Sequence, residues 1–149
     1  MNQVNKTLLD LPDLMKRASQ LKMTGHLAIS SNNLTYLDIQ DEFIHQLFPL
    51  LNNPTILKPA YFGKNLTGAH ITVIYPEENR TLHQSELGKE HFFKLQGVYV
   101  AGLPWKTYFV IMVKCPSLLQ LRNNYNLPNQ LNFKNHWIDF HITIGYKNK

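Results

Sequence analysis

His70-Ile71-Thr72-Val73-Ile74-Tyr75 and His141-Ile142-Thr143-Ile144-Gly145-Tyr146 are near copies of one hexapeptide, set in the two halves of a 149-residue chain. Each copy carries an imidazole and, two residues on, a hydroxyl. A neutral imidazole can take a proton from an attacking water or hydroxyl, and a protonated one can give a proton to a leaving oxygen. Threonine hydroxyls can donate hydrogen bonds to non-bridging phosphate oxygens as charge builds on them. Two His and two Thr, if brought together, therefore suit the opening of a phosphodiester, and either histidine can take either role. The scheme requires no metal. His26, His45, His83, His91 and His136 have no such twin and read as ordinary strand, loop or surface histidines.

Bringing them together is the task of the surrounding elements. In a strand, His70 and Thr72 share one face while Ala69, Ile71 and Val73 share the other, and the same holds for His141 and Thr143 against Phe140, Ile142 and Ile144. Strict alternation places Tyr75 and Tyr146 on the apolar side. Ahead of the first copy, Leu11, Leu14, Met15, Ala18 and Leu21 predict a helix over 12–22, Gly25 to Ser30 a short strand, and Asp38 the cap of a helix carrying Ile39, Phe43, Ile44 and Leu47. Ahead of the second copy, 92–100 and 107–115 predict strands and 117–125 a helix, with Asn126 as a left-handed C-terminal cap and a loop after it. Each half thus reads as strands, a helix, a loop and the hexapeptide strand. A pseudo-twofold arrangement would set the two polar pairs across a groove.

Composition bounds the partners. The chain is about one domain long, with 44% apolar and 17% charged residues, a globular rather than a disordered profile. It carries +5 at pH 7, and from His91 onward seven Lys and Arg face the single carboxylate of Asp139, which favours anionic partners. Cys115 stands alone, so neither an intramolecular disulfide nor a cysteine metal site is available. Without a secretory or membrane-spanning apolar run the expected setting is the cytoplasm, and a phage protein or a delivered effector would read the same way. The spacing of a His-Glu-x-x-His metallohydrolase is absent.

A His-hydrophobic-Thr-hydrophobic pattern occurring twice in a domain of this size resembles the 2H phosphoesterase superfamily, which includes 2′-5′ RNA ligase-like proteins, cyclic phosphodiesterases and their phage and viral relatives. His70-Ile71-Thr72-Val73 and His141-Ile142-Thr143-Ile144 fit it without departure. The resemblance implies a bilobal α+β fold, a pseudo-twofold duplicated domain with an antiparallel sheet and a helix in each lobe and the active-site groove between them. It spans 25–149, with 1–24 as an N-terminal helical extension. It implies His70 and His141 as the acid/base pair, Thr72 and Thr143 as phosphate ligands, no cofactor and no metal. The expected partners are RNA ends or a cyclic or linear nucleotide, with no membrane, and the protein acts as a monomer. The expected reaction is metal-independent hydrolysis of a phosphodiester involving a ribose 2′-oxygen, either a 2′,3′-cyclic phosphate or a 2′-5′ linkage. A phosphodiesterase that destroys cyclic di- or oligonucleotide signals and a catalytically silent RNA- or nucleotide-binding module are the alternatives. Lys64, Tyr75, Trp137 and Tyr146 are the further candidate substrate contacts, as cation and aromatic groups beside the two motifs.

Overall fold

The computed structural model describes residues 2–149. The fold is α+β, built on one large antiparallel sheet. Its strands are β1 (Asn2–Gln3), β2 (Asn5–Leu9), β3 (Thr24–Ile29), β4 (Thr35–Asp38), β5 (His70–Ile74), β6 (Glu90–Phe92), β7 (Lys94–Gly102), β8 (Lys106–Lys114), β9 (Leu131–Phe133), β10 (His136–Ile138) and β11 (His141–Asn148). The helices are α1 (Pro12–Ala18), α2 (Glu42–His45) and α3 (Pro116–Asn124). Eight strands form the main sheet in the order β2-β7-β8-β11-β5-β4-β3-β6, and β1-β10-β9 form a small one.

The two hexapeptides are β5 and the start of β11, and they are neighbours at the centre of the main sheet. They meet at a single registered pair, Ile71 with Ile142. Below that pair β11 turns to the chain before β5 instead, where Leu57 and Tyr146 exchange both backbone hydrogen bonds. The expected pair of sheets, one per lobe, is therefore replaced by one continuous sheet joined at this short seam. The element order does repeat, as β3-β4-α2-β5 and β7-β8-α3-β11. The helices cross over: α2 packs against β11 and α3 against β5.

Burial explains why the strands lie this way up. Ile71, Val73, Ile142 and Ile144 have no exposed surface and join one core with Phe43, Ile44, Leu47 and Leu118 from α2, α3 and the segment after α2. Burying a branched side chain of this size contributes about 1.5–3 kcal/mol, so a one-residue slip of either strand would forfeit several such contributions at once. Gly145 is required where β11 passes closest to the neighbouring chain, since a Cβ there would lie 2.7 Å from Ile56 Cγ2 and 2.9 Å from Leu51 Cδ1.

Arg122, on α3, is fully buried and fastens the end of β5. Its guanidinium donates to both carboxylate oxygens of Glu78, at 3.0 and 2.7 Å, and to the carbonyls of Val73, Pro128 and Gln130. Glu78 in turn accepts from the backbone N–H of Tyr75. A bidentate pair with its remaining donors satisfied is the condition under which a buried charge is tolerated.

The helix over 12–22 is shorter than expected, ending at Ala18, and the described part of 1–24 holds strands β1 and β2 besides the helix. Residues Asn5–Leu9 pair antiparallel with Val98–Gly102 and complete the edge of the main sheet. Asp38 ends β4 rather than capping a helix, and Asp41 takes the N-cap position of α2. The loop expected after α3 contains the β9-β10 hairpin, turned by Lys134 and Asn135 at φ 49° and 66°. Asn126 adopts the expected left-handed conformation, φ 61°.

Candidate functional site

Extending the Ile71–Ile142 register by one residue each way sets His70 beside Thr143 and Thr72 beside His141, all four on the face away from the helices. They form the floor of a cavity of about 410 Å³. The structure thus brings together the four residues singled out by spacing alone.

Both imidazoles are held in the same way. His70 Nδ1 lies 2.8 Å from the carbonyl of Gly68, and His141 Nδ1 lies 2.8 Å from the carbonyl of Asp139, each two residues upstream. A carbonyl only accepts, so Nδ1 carries the hydrogen in both rings and Nε2 is the free, basic atom. Thr67 Oγ1, 3.1 Å from His70 Nδ1, adds a contact that His141 lacks. Gly68 sits at φ 66°, where a Cβ would meet the Asp41 carboxylate. The same carboxylate accepts from the N–H of Ala69 at 3.1 Å. Asp41 therefore fixes the turn that presents the carbonyl to His70.

The rings differ in burial. His141 is 8% exposed, whereas His70 is half-buried. Burial lowers the proton affinity of His70 and pushes that of His141 down to about 4, the neighbouring His70 adding to the second effect. The edges of Tyr61 and Tyr36 flank His70, with ring centroids at 4.9 and 5.7 Å.

Each threonine has a tyrosine companion. Tyr61 and Tyr75 line the cavity with Thr143 and Thr72, and burial raises both phenols, Tyr61 to about 12.

The walls differ in character. On one side Tyr75 stacks on Phe133 (4.8 Å, 28°), and Tyr108 and Trp105 meet Phe133 edge to face. Lys134 Nζ lies 5.1 Å from the Trp105 ring and 5.4 Å from that of Phe133. On the other side Ser30, Ser31, Asn32 and Asn65 form a polar rim.

Of the further candidates, Tyr75 lines the cavity rather than lying on the apolar side that alternation assigns it, because β5 ends at Ile74 and Tyr75 falls outside its alternation. Lys64 is exposed on the loop whose neighbours Asn65 and Leu66 line it. Trp137 borders a separate small cavity behind the β10-β11 corner. Tyr146 is not on the core side. A bulge between Thr143 and Gly145 makes Ile144 an extra residue and pairs Tyr146 with Tyr108, on the cavity face, where Lys106 Nζ lies 4.6 Å from its ring centre. Tyr61, Tyr108 and Phe133 went unnoticed in the sequence because no shared spacing links them to the motifs.

Among the described residues no three His, Cys, Asp or Glu side chains gather as a metal site. No helix is long and apolar enough to cross a membrane.

The central antiparallel sheet thus presents paired imidazoles and hydroxyls on one face, at the floor of a cavity. The chain belongs to the 2H phosphoesterase family: the model of the Swiss Army Knife 2H phosphoesterase domain, 2H-SAK, matches residues 35–149. Neither a curated protein nor a solved structure matches the chain. The activity that follows from membership is that of a phosphoesterase.

Proposed function

We propose that the protein is a phosphodiesterase that hydrolyses, without a metal, a phosphodiester involving a ribose 2′-oxygen, in RNA or in a nucleotide. The observation that carries this reading is the pair of imidazoles with the same Nδ1–H tautomer, both on the cavity face and alternating with two hydroxyls across the β5-β11 seam. One Nε2 takes the proton of the attacking oxygen while the other, protonated, gives its proton to the leaving ribose oxygen. The P–O bond to the attacker forms as the P–O bond to the ribose breaks. Thr72 and Thr143 donate to the non-bridging oxygens. His141, with the lower proton affinity, is the base, and the more exposed His70 carries the proton. The aromatic wall with Lys134 offers a planar, cation-bearing surface to a nucleobase, and stacking of that kind is worth about 1–3 kcal/mol per base.

A second reading, cleavage of cyclic di- or oligonucleotides, draws on the polar rim opposite the aromatic wall, so that the cavity offers a surface on either side of the four motif residues. One experiment separates these. Turnover is measured in excess chelator on nucleoside 2′,3′-cyclic phosphates, 2′-5′ and 3′-5′ dinucleotides and cyclic dinucleotides. Chelator-resistant cleavage confined to the first two substrates supports the main reading, and cleavage confined to cyclic dinucleotides replaces it with the second. Tight binding with no turnover of any substrate would leave a silent binding module. The roles are tested with an aryl ester whose leaving group needs no proton: it restores turnover to His70→Ala and not to His141→Ala.

A further inference from the structure

Residues 2–9 lie outside the span matched by the family model, yet they enter both sheets. β1 runs parallel to β10, with Asn2 opposite His136 and Gln3 opposite Trp137, and β2 closes the edge of the main sheet. Where the two meet, Lys6 Nζ lies 3.1 Å from Asp139 Oδ2, and Gln130 Nε2 donates to Asp139 Oδ1 at 3.2 Å. Gln3 Nε2 donates to Gln130 Oε1 at 2.9 Å. Asp139 opens the two-residue corner between the end of β10 and the start of β11, and its carbonyl is the acceptor for His141 Nδ1–H.

We propose that this N-terminal arm is a positioning strap for His141: Lys6, and Gln3 acting through Gln130, anchor the Asp139 side chain and so fix the carbonyl that selects the tautomer and direction of the imidazole. A corner of two residues has few torsions to absorb a change, so holding its side chain holds its carbonyl. Three charged or titratable groups face His141 besides the strap's own effect on geometry. Asp139 raises its proton affinity, while Lys6 from β2 and His70 from across the seam lower it. Lys6 and Asp139 are both partly exposed, so their separate effects are small and opposite in sign.

The opposite signs give the strap a signature that simple loosening lacks. Histidine-labelled protein is followed by NMR through a pH titration, with the imidazole nitrogen shifts reporting tautomer and protonation of His141, and His70 serving as internal control. In Lys6→Met, Asp139 is left unopposed and the His141 pKa rises by a few tenths of a pH unit. In Asp139→Asn it falls, and in Lys6→Arg it stays at the wild-type value. The double variant Gln3→Ala/Lys6→Met shows a mixture of Nδ1–H and Nε2–H tautomers at His141, with His70 unchanged. Unchanged His141 signals in all variants would overturn the proposal, as would parallel movement of His70 or shifts of the same sign in Lys6→Met and Asp139→Asn. The kinetic arm rests on the phosphodiesterase reading, under which Gln3→Ala/Lys6→Met lowers kcat severalfold with KM unchanged. The titration needs no substrate, so the strap can fail with the reading intact and survive if the reading fails.

Discussion

His70 takes its tautomer from a glycine carbonyl at the end of a long loop, whereas His141 takes it from an aspartate carbonyl in a short corner between two strands. The first carbonyl is set by a left-handed turn and the Asp41 carboxylate, a support within the same half of the chain. The second is tied to residues more than one hundred positions earlier, through Lys6 and Gln3. The first ring is half-buried beside two tyrosine edges; the second is buried. The same hexapeptide thus yields the same bond geometry at two positions with different proton affinities. In the proposed acid/base scheme such a difference assigns the proton to one ring and leaves the other free to accept.

The most severe way to break the comparison is to remove either ring. His70→Ala and His141→Ala should each lower kcat by about 10²–10⁴-fold, with circular dichroism and cooperative unfolding retained. Equal turnover in either variant would remove that ring from the chemistry. Removing a hydroxyl comes next: Thr72→Ala and Thr143→Ala should each cost about 10²–10³-fold in kcat, the range for a lost oxyanion donor. A change confined to KM would place the threonines in substrate binding instead.

pH sharpens the contrast in burial. Between pH 6.5 and about 4 the unfolded chain carries a proton at residue 141 that the folded chain does not, so stability is lost as pH falls through this window. The shift corresponds to about 3 kcal/mol. Urea unfolding at both ends of the window should show the loss, and His141→Gln should remove most of it. The half-buried His70 contributes with the same sign, since burial lowers its proton affinity too.

The supports differ least in absolute terms. Gly68→Ala forces an L residue into the left-handed region against Asp41 and should cost about 1–3 kcal/mol in urea unfolding. Asp139→Ala removes a partly exposed ion pair with Lys6 and a hydrogen bond from Gln130 and should cost about 1 kcal/mol or less. A reversal of that order would mean that the corner, not the turn, is the tighter support.

The motif strands were readable because their signal is local: alternation fixes which side chains share a face, and the surrounding Ile and Val residues fix which face is buried. The α3 helix, β8 and the Asn126 cap were readable for the same reason. β4, β9 and β10 are three or four residues long and exist through pairing with distant strands, so no window of sequence reveals them. Lys134-Asn135 was the one cue to the hairpin, since asparagine tolerates the left-handed conformation that a two-residue turn requires. Tyr146 went to the other face because a bulge adds one residue to the count, and alternation has no means of registering it. Tyr61, Tyr108 and Phe133 reach the cavity from three separate elements, a convergence that only the fold creates.

The single registered pair at the seam also bears on how the chain folds. β11 pairs with β8 in a nearby hairpin-like arrangement, but its contact with β5 joins segments separated by half the chain, and β2 must reach β7 across an even longer span. Long-range pairings close late because loop entropy opposes them until neighbouring structure is in place. The site lies on that late-closing boundary. Partly folded molecules, even with both hexapeptides already extended as strands, would therefore be inert, and recovery of turnover after dilution from denaturant should follow the slowest refolding phase rather than the return of secondary structure.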